Sequence, residues 1–315
     1  MLKKKKIELI PYKKIDAPLG LKKIKLVDLK NERGLLSLLS LKTIKNNLKK
    51  KKKTLLFLNR KGFSRLLICQ DCGYSKHLSS TESAPAVCFD CSGTNLREHS
   101  FGTRRLEYEI KKLFPKAKVL RLDKENESFL NLKSKILNHD IIIATSYIFK
   151  YNLTFDSIVI ILADIGLSLP DFRGEEELFS TLFRALKLGK EKIIQTFYPE
   201  HRVIKYLLLD NFKSFAEEEL KIRAQNNYPP FTTLIRLTCA GKNARGEAAK
   251  LVGLLNKLNQ SDNSPNEILG PAPVFIQPKG NLKYEIILKG KNPYPLLSLV
   301  PETWKVDVDP VELLK

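Results

Sequence analysis

Two pairs of cysteines constrain the fold of this chain more than any other feature of its sequence. Cys69 and Cys72 form one Cys-x-x-Cys pair, Cys88 and Cys91 form a second, and 15 residues separate the pairs. Each pair offers two thiolates, and two pairs complete a tetrahedral shell of sulfurs around Zn²⁺. Four protein ligands leave no position for a substrate, so the spacing predicts one structural zinc ion. The alternatives are four unrelated buried thiols or two disulfides, and disulfides favour secreted proteins.

Length and composition indicate a folded cytoplasmic protein. A chain of 315 residues has room for about two domains. The longest apolar runs, such as residues 157–164, are far shorter than the roughly 18 residues that a membrane span requires. The charged N-terminus has no apolar segment of the kind that a signal peptide carries. We therefore expect a location in the cytoplasm, including at the nucleoid, and no membrane partner.

The charge balance favours an anionic partner. The formal charge of +21 reflects 55 lysines and arginines against 34 aspartates and glutamates. Such an excess attracts polyanions, most simply nucleic acid, because binding releases counterions. Lysine-rich coding in an AT-rich genome is the alternative explanation. Lys49–Lys53 form an unbroken run directly before an apolar strand, and this clustering is harder to explain by coding bias.

Apolar strands alternate with amphipathic helices up to about residue 197. The predicted strands cover residues 24–29, 54–59, 118–123, 140–145, 157–164 and 192–197, and the predicted helices cover 35–50, 101–114, 129–137 and 175–188. Uninterrupted β-branched strands separated by helices indicate a parallel sheet that is covered on both faces. The cysteine pairs fall between the second strand and the next helix, in an insertion that we place at residues 68–98.

A second pattern begins after Pro229 and Pro230. Strand, helix, strand, strand, helix and strand follow one another between residues 232 and 310, which is the element order of an α+β ferredoxin-like domain. Such a domain has one open face, which can serve binding. We therefore expect four segments, namely a flexible basic leader at 1–25, an α/β lobe at 26–200, a helical connector at 201–229 and a C-terminal domain at 230–315.

Several sequence segments occur in a characteristic order. They are LLFLNRKGF (55–63) followed by Cys-x-x-Cys-Gly, FGTRRLEYEIKKLFP (101–115), PDFRGEEELF (170–179), QTFYPEH (195–201), YPPFTTLIRL (228–237), ILGPAPVFI (268–276) and VDVDPVE (306–312). Together they resemble the primosomal protein N-prime (PriA) family of replication-restart helicases over about residues 24–315. The resemblance implies that the α/β lobe is a RecA-like second helicase lobe with a zinc insertion, followed by the family's C-terminal domain.

The resemblance also implies that the machinery for ATP hydrolysis is incomplete in this sequence. The family's phosphate loop and Mg²⁺ box precede the matched region, and no G-x-x-x-x-G-K-[ST] occurs in the 315 residues. The segment that resembles motif V keeps Thr145 and Lys150 but has Ala144 and Tyr151 in place of glycines. The arginine-rich motif VI is absent. We therefore expect no catalytic residues, no bound ATP and no helicase activity of this chain alone.

Three further residues resemble helicase motifs in position. Asp164 ends an apolar strand, and Asp171 and Arg173 follow in a loop, where α/β proteins place functional groups. We interpret these residues as eroded motifs, like Thr145 and Lys150, and expect Asp171 and Arg173 to form a structural ion pair.

The zinc region departs from the family pattern. Family members typically carry eight cysteines in four pairs that bind two zinc ions, and the outer pairs share one ion. By this resemblance Cys69/Cys72 and Cys88/Cys91 are the outer pairs, and the inner pairs are missing. Loss of one complete site together with retention of the other indicates selection for the site that remains.

Three aromatic residues have two interpretations. Tyr228 and Phe231 flank the Pro-Pro sequence, and Trp304 precedes the last predicted strand. They could stack on nucleobases, as aromatic residues do in proteins that bind single strands. Packing within the protein is the favoured interpretation.

The favoured function is a non-catalytic role in replication restart, with binding to forked or single-stranded DNA and with primosome or single-strand-binding proteins as further partners. The alternatives are the second-lobe subunit of a split ATP-dependent helicase and a protein-interaction scaffold without a DNA role. The residues predicted to contact DNA flank the zinc insertion and could be brought onto one face. They are Lys49, Lys50, Lys51, Lys52, Lys53, Arg60, Lys61, Arg65, Arg104 and Arg105.

Overall fold

The computed structural model describes residues 21–315 with the exception of 22, 33, 60–64, 70, 73, 79–82, 100–101, 124–131, 166–170, 261–265, 275–281, 312 and 314–315. Most of the predicted leader, residues 1–20 and 22, therefore lies outside the described residues. Within the described part of the chain, no helix combines the length and apolar character that a membrane span needs.

The described residues form three sheets and the helices that cover them. In chain order the strands are β1 (Ile24–Asp28), β2 (Thr54–Phe57), β3 (Arg65–Cys69), β4 (Ser75–Leu78), β5 (Leu96–His99), β6 (Val119–Leu122), β7 (Ile141–Ala144), β8 (Phe155–Ile160), β9 (Gly189–Thr196), β10 (Thr233–Ala240), β11 (Glu267–Pro273), β12 (Lys283–Gly290) and β13 (Lys305–Val308). The α-helices are α1 (Leu38–Lys49), α2 (Thr103–Leu113), α3 (Leu132–Leu137), α4 (Gly174–Leu186), α5 (Arg202–Leu208), α6 (Phe212–Gln225) and α7 (Ala244–Asn259).

The largest sheet has six parallel strands in the order β1-β9-β8-β2-β7-β6. Successive side chains of its central strand β2 point to opposite faces, as the pleat requires. Leu55 and Phe57 belong to one apolar cluster, and Leu56 belongs to another with Ile44 of α1 and Ile110 of α2. The sheet is thus buried on both faces, and the predicted doubly covered α/β lobe is confirmed.

Helices α5 and α6, in the predicted connector, pack against this lobe. Val203, Ile204 and Leu207 of α5 and Phe215 of α6 belong to the same apolar cluster as Phe57. The Phe215 ring stacks on Phe179 of α4 with a centroid distance of 4.3 Å. The segment at 201–229 therefore contributes side chains to the core of the lobe.

The C-terminal sheet is antiparallel, with strand order β11-β12-β10-β13. This is the arrangement that the predicted ferredoxin-like element order produces. Helix α7 and a 3₁₀ helix at Tyr294–Leu299 pack against its apolar face, where Trp304 is buried beside Ile235 and Leu237. Pro293 and Pro295 lie at the amino end of the 3₁₀ helix, where their missing N–H groups would have no intrahelical acceptor.

A column of side chains joins the two parts of the chain. The ring of Phe172, which precedes α4, stacks on Tyr228 at a centroid distance of 5.1 Å. The Arg223 guanidinium lies 5.3 Å from the centroid of Phe172, and the Lys289 Nζ lies 4.8 Å from that of Tyr228. Tyr228 is thus half-buried between these side chains, Trp304 is buried, and Phe231 is 47% exposed.

Candidate metal centre and basic surfaces

The cysteines lie in a small module that follows the carboxyl end of β2. Strands β4, β3 and β5 form an antiparallel sheet in that order. Cys69 ends β3, and its N–H donates to the carbonyl oxygen of Tyr74 at 2.8 Å. The Cys88 N–H donates in the same way to the carbonyl oxygen of Gly93, also at 2.8 Å. Each Cys-x-x-Cys pair is therefore held in a closed turn.

The four thiol groups converge on one point. The Sγ atoms of Cys69 and Cys91 are 3.6 Å apart, and those of Cys72 and Cys88 are 3.7 Å apart. All four ligand atoms lie within 4.8 Å of one another. Sulfurs at the corners of a tetrahedron with Zn–S bonds of about 2.3 Å are separated by about 3.8 Å, whereas a disulfide requires about 2.05 Å. The arrangement fits a metal ion and excludes the disulfide alternative.

Backbone amides stabilise thiolates in this cluster. The Tyr74 N–H donates to the Cys72 Sγ and the Asp90 N–H donates to the Cys88 Sγ, both at 3.4 Å. Burial acts to raise the pKa of Cys88, but the amides of Cys91 and Asp90 outweigh it and lower this pKa to about 7. Burial raises the pKa of Cys72 to about 12 despite its amide donor, so in the absence of a metal ion Cys88 is the thiol of this pair that ionises more readily.

The module has little apolar core. Leu67, Leu78, Cys69 and Cys88 are the buried apolar residues among the described side chains of residues 65–99. Gly93 approaches Asp71 so closely that an added Cβ would lie 2.5 Å from Asp71 Oδ2. So few buried groups cannot supply much folding free energy, since each contributes about 1.5–3 kcal/mol. A bound metal ion would therefore be a large part of the module's stability.

The lysine run lies at the amino edge of the parallel sheet. Lys49 ends α1, Lys50, Lys51 and Lys52 are exposed in the turn that follows, and Lys53 precedes β2. The Lys53 Nζ donates hydrogen bonds to the carbonyl oxygens of Leu137 at 2.6 Å and His139 at 2.8 Å, at the end of α3. Lys53 therefore stabilises a helix terminus.

Arg104 and Arg105 lie at the other edge of this sheet. They are exposed in the first turn of α2, next to Thr103, whose hydroxyl donates to Asp123 Oδ2 at 2.6 Å. Asp123 follows β6, so this turn lies at the carboxyl edge. The structure therefore does not bring the lysine run and these two arginines together, because they lie at opposite edges of the sheet. Arg60, Lys61 and the side chain of Arg65 lie outside the described residues.

The motif V segment forms a 3₁₀ helix at Ser146–Lys150 that begins after Thr145. Thr145 is half-buried at the carboxyl end of β7, and its side chain does not cap this helix. The Lys150 Nζ lies 4.3 Å from the centroid of the Tyr147 ring. The ring of Tyr151 packs against the apolar core of the lobe. This segment is thus held by local packing.

Asp164 is fully buried at the carboxyl edge of the sheet. Its Oδ1 accepts hydrogen bonds from the Thr196 hydroxyl at 2.9 Å and from the Phe197 N–H at 3.1 Å. Burial raises the pKa of Asp164 to about 6, although these donors oppose the rise. The carboxyl group therefore ties the end of β9 to the loop after β8.

Asp171 and Arg173 do not form the predicted ion pair. Asp171 Oδ1 accepts the backbone N–H of Arg173 at 3.0 Å, which closes the turn before α4. Asp171 Oδ2 accepts the N–H of Leu313 at 2.8 Å, near the end of the chain. The Arg173 guanidinium packs on the Phe172 ring at 5.2 Å. The ion-pair prediction is wrong because the Arg173 side chain is directed onto the Phe172 ring, while Asp171 binds backbone N–H groups.

Comparison with known proteins identifies the family. A family model described as the primosomal protein N C-terminal domain matches residues 224–311. The replication restart protein PriA of Borreliella burgdorferi is 32% identical over 89% of this chain. The PriA proteins of Bacillus subtilis and Haemophilus influenzae are 26% and 27% identical over 88% and 90% of it. The chain belongs to the PriA family.

The chain spans about half the length of the PriA proteins that it matches. It covers 48% of the Borreliella burgdorferi protein, 40% of the Bacillus subtilis protein and 44% of the Haemophilus influenzae protein. Because 89% of this chain is aligned with the first of these, the similarity extends far beyond residues 224–311 into the parallel-sheet lobe.

One exposed surface of this PriA-family chain was missed in the sequence. Tyr108 is 69% exposed on α2, one helical turn after Arg104 and one turn before Lys112. Both of these cations are exposed. The spacing of four residues between the three side chains is the signal that could have located them, because such residues share a helix face.

Proposed function

We propose that this chain acts in DNA replication restart by binding branched or single-stranded DNA, with one structural zinc ion and without ATP hydrolysis of its own. The observation that carries the proposal is its similarity to replication restart proteins named PriA along 89% of its length. Primosome proteins or single-strand-binding proteins are the further partners that we propose on this basis.

The metal in this proposal is zinc, and its role is structural. Four thiolates in a tetrahedron are the ligand set that structural zinc sites use. The 3.6 and 3.7 Å separations of the sulfurs support this choice. When bound, the ion would cross-link the two turns, and no ligand position would remain for a substrate.

The DNA contacts in this proposal come from exposed cations at two edges of the lobe. Lys50, Lys51 and Lys52 are exposed at one edge, and Arg104 and Arg105 are exposed at the other. Cations on flexible side chains contact phosphates, which gives affinity without sequence preference. We propose that residues 26–200 and 230–315 act as two domains in this task, joined through 201–229.

Two observations support the absence of ATP hydrolysis. The 315 residues contain no phosphate-loop sequence, and Asp164 accepts hydrogen bonds from Thr196 and Phe197 inside the protein. We expect no ATP turnover above background by the chain alone, with or without DNA, in a phosphate-release assay. Turnover that is stimulated by single-stranded DNA and abolished by Asp164→Asn would contradict this part of the proposal.

The test of DNA binding is fluorescence anisotropy of the zinc-loaded protein with a labelled fork, a matched duplex and a single strand over a series of salt concentrations. We expect tighter binding to the fork or single strand than to the duplex, with affinity that falls as salt rises. Equal, weak binding to all three would overturn the proposal, as would affinity that is insensitive to salt.

A further inference from the structure

Helix α2 presents an unusual outward face. Thr103, Leu106 and Ile110 are its buried residues. Each residue advances the helix by 100°, so Tyr108 lies almost opposite the middle of this buried stripe. Its side chain is 69% exposed, so the ring is accessible to a ligand. The centre of the outward face is therefore aromatic.

Cations surround the Tyr108 ring along this face. Residues 103–118 contain six lysines and arginines, at positions 104, 105, 111, 112, 116 and 118, and two glutamates, at 107 and 109. Arg105 pairs with Glu109 at 3.2 Å and Lys111 pairs with Glu107 at 2.7 Å. Arg104 and Lys112 are exposed one turn before and one turn after Tyr108. The rise per residue places their Cα atoms about 12 Å apart along the helix axis.

Arg104 and Arg105 lie at an end of α2 where positive charge destabilises the helix. Arg104 and Arg105 lie in the first turn of α2, which contains no acidic residue. The positive end of the helix dipole lies there, so cations in the first turn are unfavourable by about 0.3–1 kcal/mol each. Helix stability alone would favour aspartate or glutamate at these positions. The positive potential at this end of α2 is thus the property that a ligand would use.

We propose that the outward face of α2 is a binding site for single-stranded DNA, in which Tyr108 stacks on one base while Arg104 and Lys112 contact phosphates on either side. This inference rests on the proposed function and adds the site and the strand state. Stacking on an exposed ring is open to every base, and the flanking cations follow the backbone.

The same geometry favours single-stranded DNA, rather than duplex DNA or a protein, as the ligand of this face. The ring of Tyr108 projects from the middle of a helix, and bases in a duplex are already stacked on one another, so the ring has no exposed base face to contact. An acidic peptide would pair with the cations but would not need an aromatic surface at their centre. An unpaired nucleotide uses both properties.

The test compares Tyr108→Ala with Tyr108→Phe in the full zinc-loaded chain, by anisotropy with a labelled thymidine oligonucleotide and with an abasic oligonucleotide of the same length. We expect Tyr108→Ala to weaken binding to the thymidine probe at least about fivefold. Tyr108→Phe, which keeps the ring, retains the affinity. The abasic probe binds the wild type and Tyr108→Ala equally, because no base is available to stack.

Leu113→Ala is the matched control for the loss of an exposed apolar side chain. Leu113 lies on the same helix and is 51% exposed, but it faces away from Tyr108. We expect Leu113→Ala to bind both probes like the wild type. A loss in Leu113→Ala equal to that in Tyr108→Ala would overturn the proposal, since the effect would then be one of helix stability.

The phosphate contacts are tested by the salt dependence of binding. Each contact to a single strand contributes about 0.7 to the slope of log affinity against log salt. We expect the double variant Arg104→Gln/Lys112→Gln to lower the magnitude of this slope by about 1.4. Lys257→Gln, in the last turn of α7, is the control and should leave the slope unchanged. Wild-type protein that binds DNA while Tyr108→Ala binds equally well overturns this site alone. Wild-type protein that binds no DNA overturns the proposed function as well.

Discussion

Burial determines the chemistry of the Asp164 carboxyl group. Its pKa rises to about 6 in the folded protein, from 3.8 for an exposed aspartate. Between these two values the folded state binds more protons than the unfolded state, so the free energy of unfolding falls as the pH rises. The expected total is about 3 kcal/mol, at 1.36 kcal/mol per pKa unit. Above pH 6 this residue contributes no further change.

Asp164→Asn removes this titration. As the pH rises from 4 to 6, we expect the unfolding free energy of the wild type to fall relative to that of the variant. Above pH 6 the difference between the two proteins should stay constant. Urea unfolding of both proteins at several pH values measures it. Release of metal at acid pH affects both proteins equally and cancels in the difference. Parallel curves over the whole range would show that burial does not raise this pKa.

Lys53 differs from the other lysines of its run in what its side chain contacts. Its Nζ donates to the carbonyl oxygens of Leu137 and His139, whereas Lys52 is exposed. Charged donors at the negative end of a helix are favourable, and we expect Lys53→Ala to destabilise the protein by about 1–2 kcal/mol. Lys52→Ala is the matched control and should change stability by less than about 0.5 kcal/mol. Thermal unfolding distinguishes the two, and equal melting temperatures would contradict this assignment.

We expect the module of β3, β4 and β5 to depend on the proposed zinc ion more than on its core. Its described part buries Leu67, Leu78 and two of the cysteines, so removal of a bound ion would leave little to hold the strands together. We expect a chelator to abolish amide protection in β3, β4 and β5 while β2, β7 and β8 stay protected. Hydrogen exchange measured by mass spectrometry resolves these segments.

Cys88→Ser should reproduce the effect of the chelator, because one lost thiolate opens the tetrahedral shell. Cys239→Ser is the control, since Cys239 is buried in the C-terminal sheet, away from the module. Protection of β3, β4 and β5 that survives both chelation and Cys88→Ser would show that the module folds without a metal ion.

Hydrophobic periodicity located the elements of this fold better than it located their ends. The strand predicted at 157–164 is observed at Phe155–Ile160, because the chain turns after it and Asp164 bonds to Phe197. The cysteine cluster was predictable because two Cys-x-x-Cys turns specify a tetrahedron by their spacing. The arrangement of the basic residues was not predictable from the sequence. A strand and an insertion separate the lysine run from Arg104, and the two groups lie at opposite edges of the sheet.

At the scale of the whole molecule, one column of side chains couples the lobe to the C-terminal sheet. Tyr228 is its centre, between Phe172 and Lys289. We expect Tyr228→Ala to lower stability by about 2 kcal/mol through loss of the ring stack and the cation contact. It should also accelerate proteolysis near residues 226–232. Phe231→Ala is the control, since that ring is 47% exposed, and calorimetry that gives the same loss for both would contradict the role of the column.

The place where the metal module is inserted affects how the chain finds its fold. Residues 58–102 separate β2 from α2, and they must form a closed loop before α2 can pack beside the strands that pair with β2. A metal ion that joins Cys69 to Cys91 removes residues 70–90 from that loop, which shortens its path to about half. Halving a loop lowers the entropic cost of closure by about 0.6 kcal/mol, or about threefold in rate. If the module binds its metal ion before α2 packs, the ion would therefore speed folding as well as stabilise the folded module.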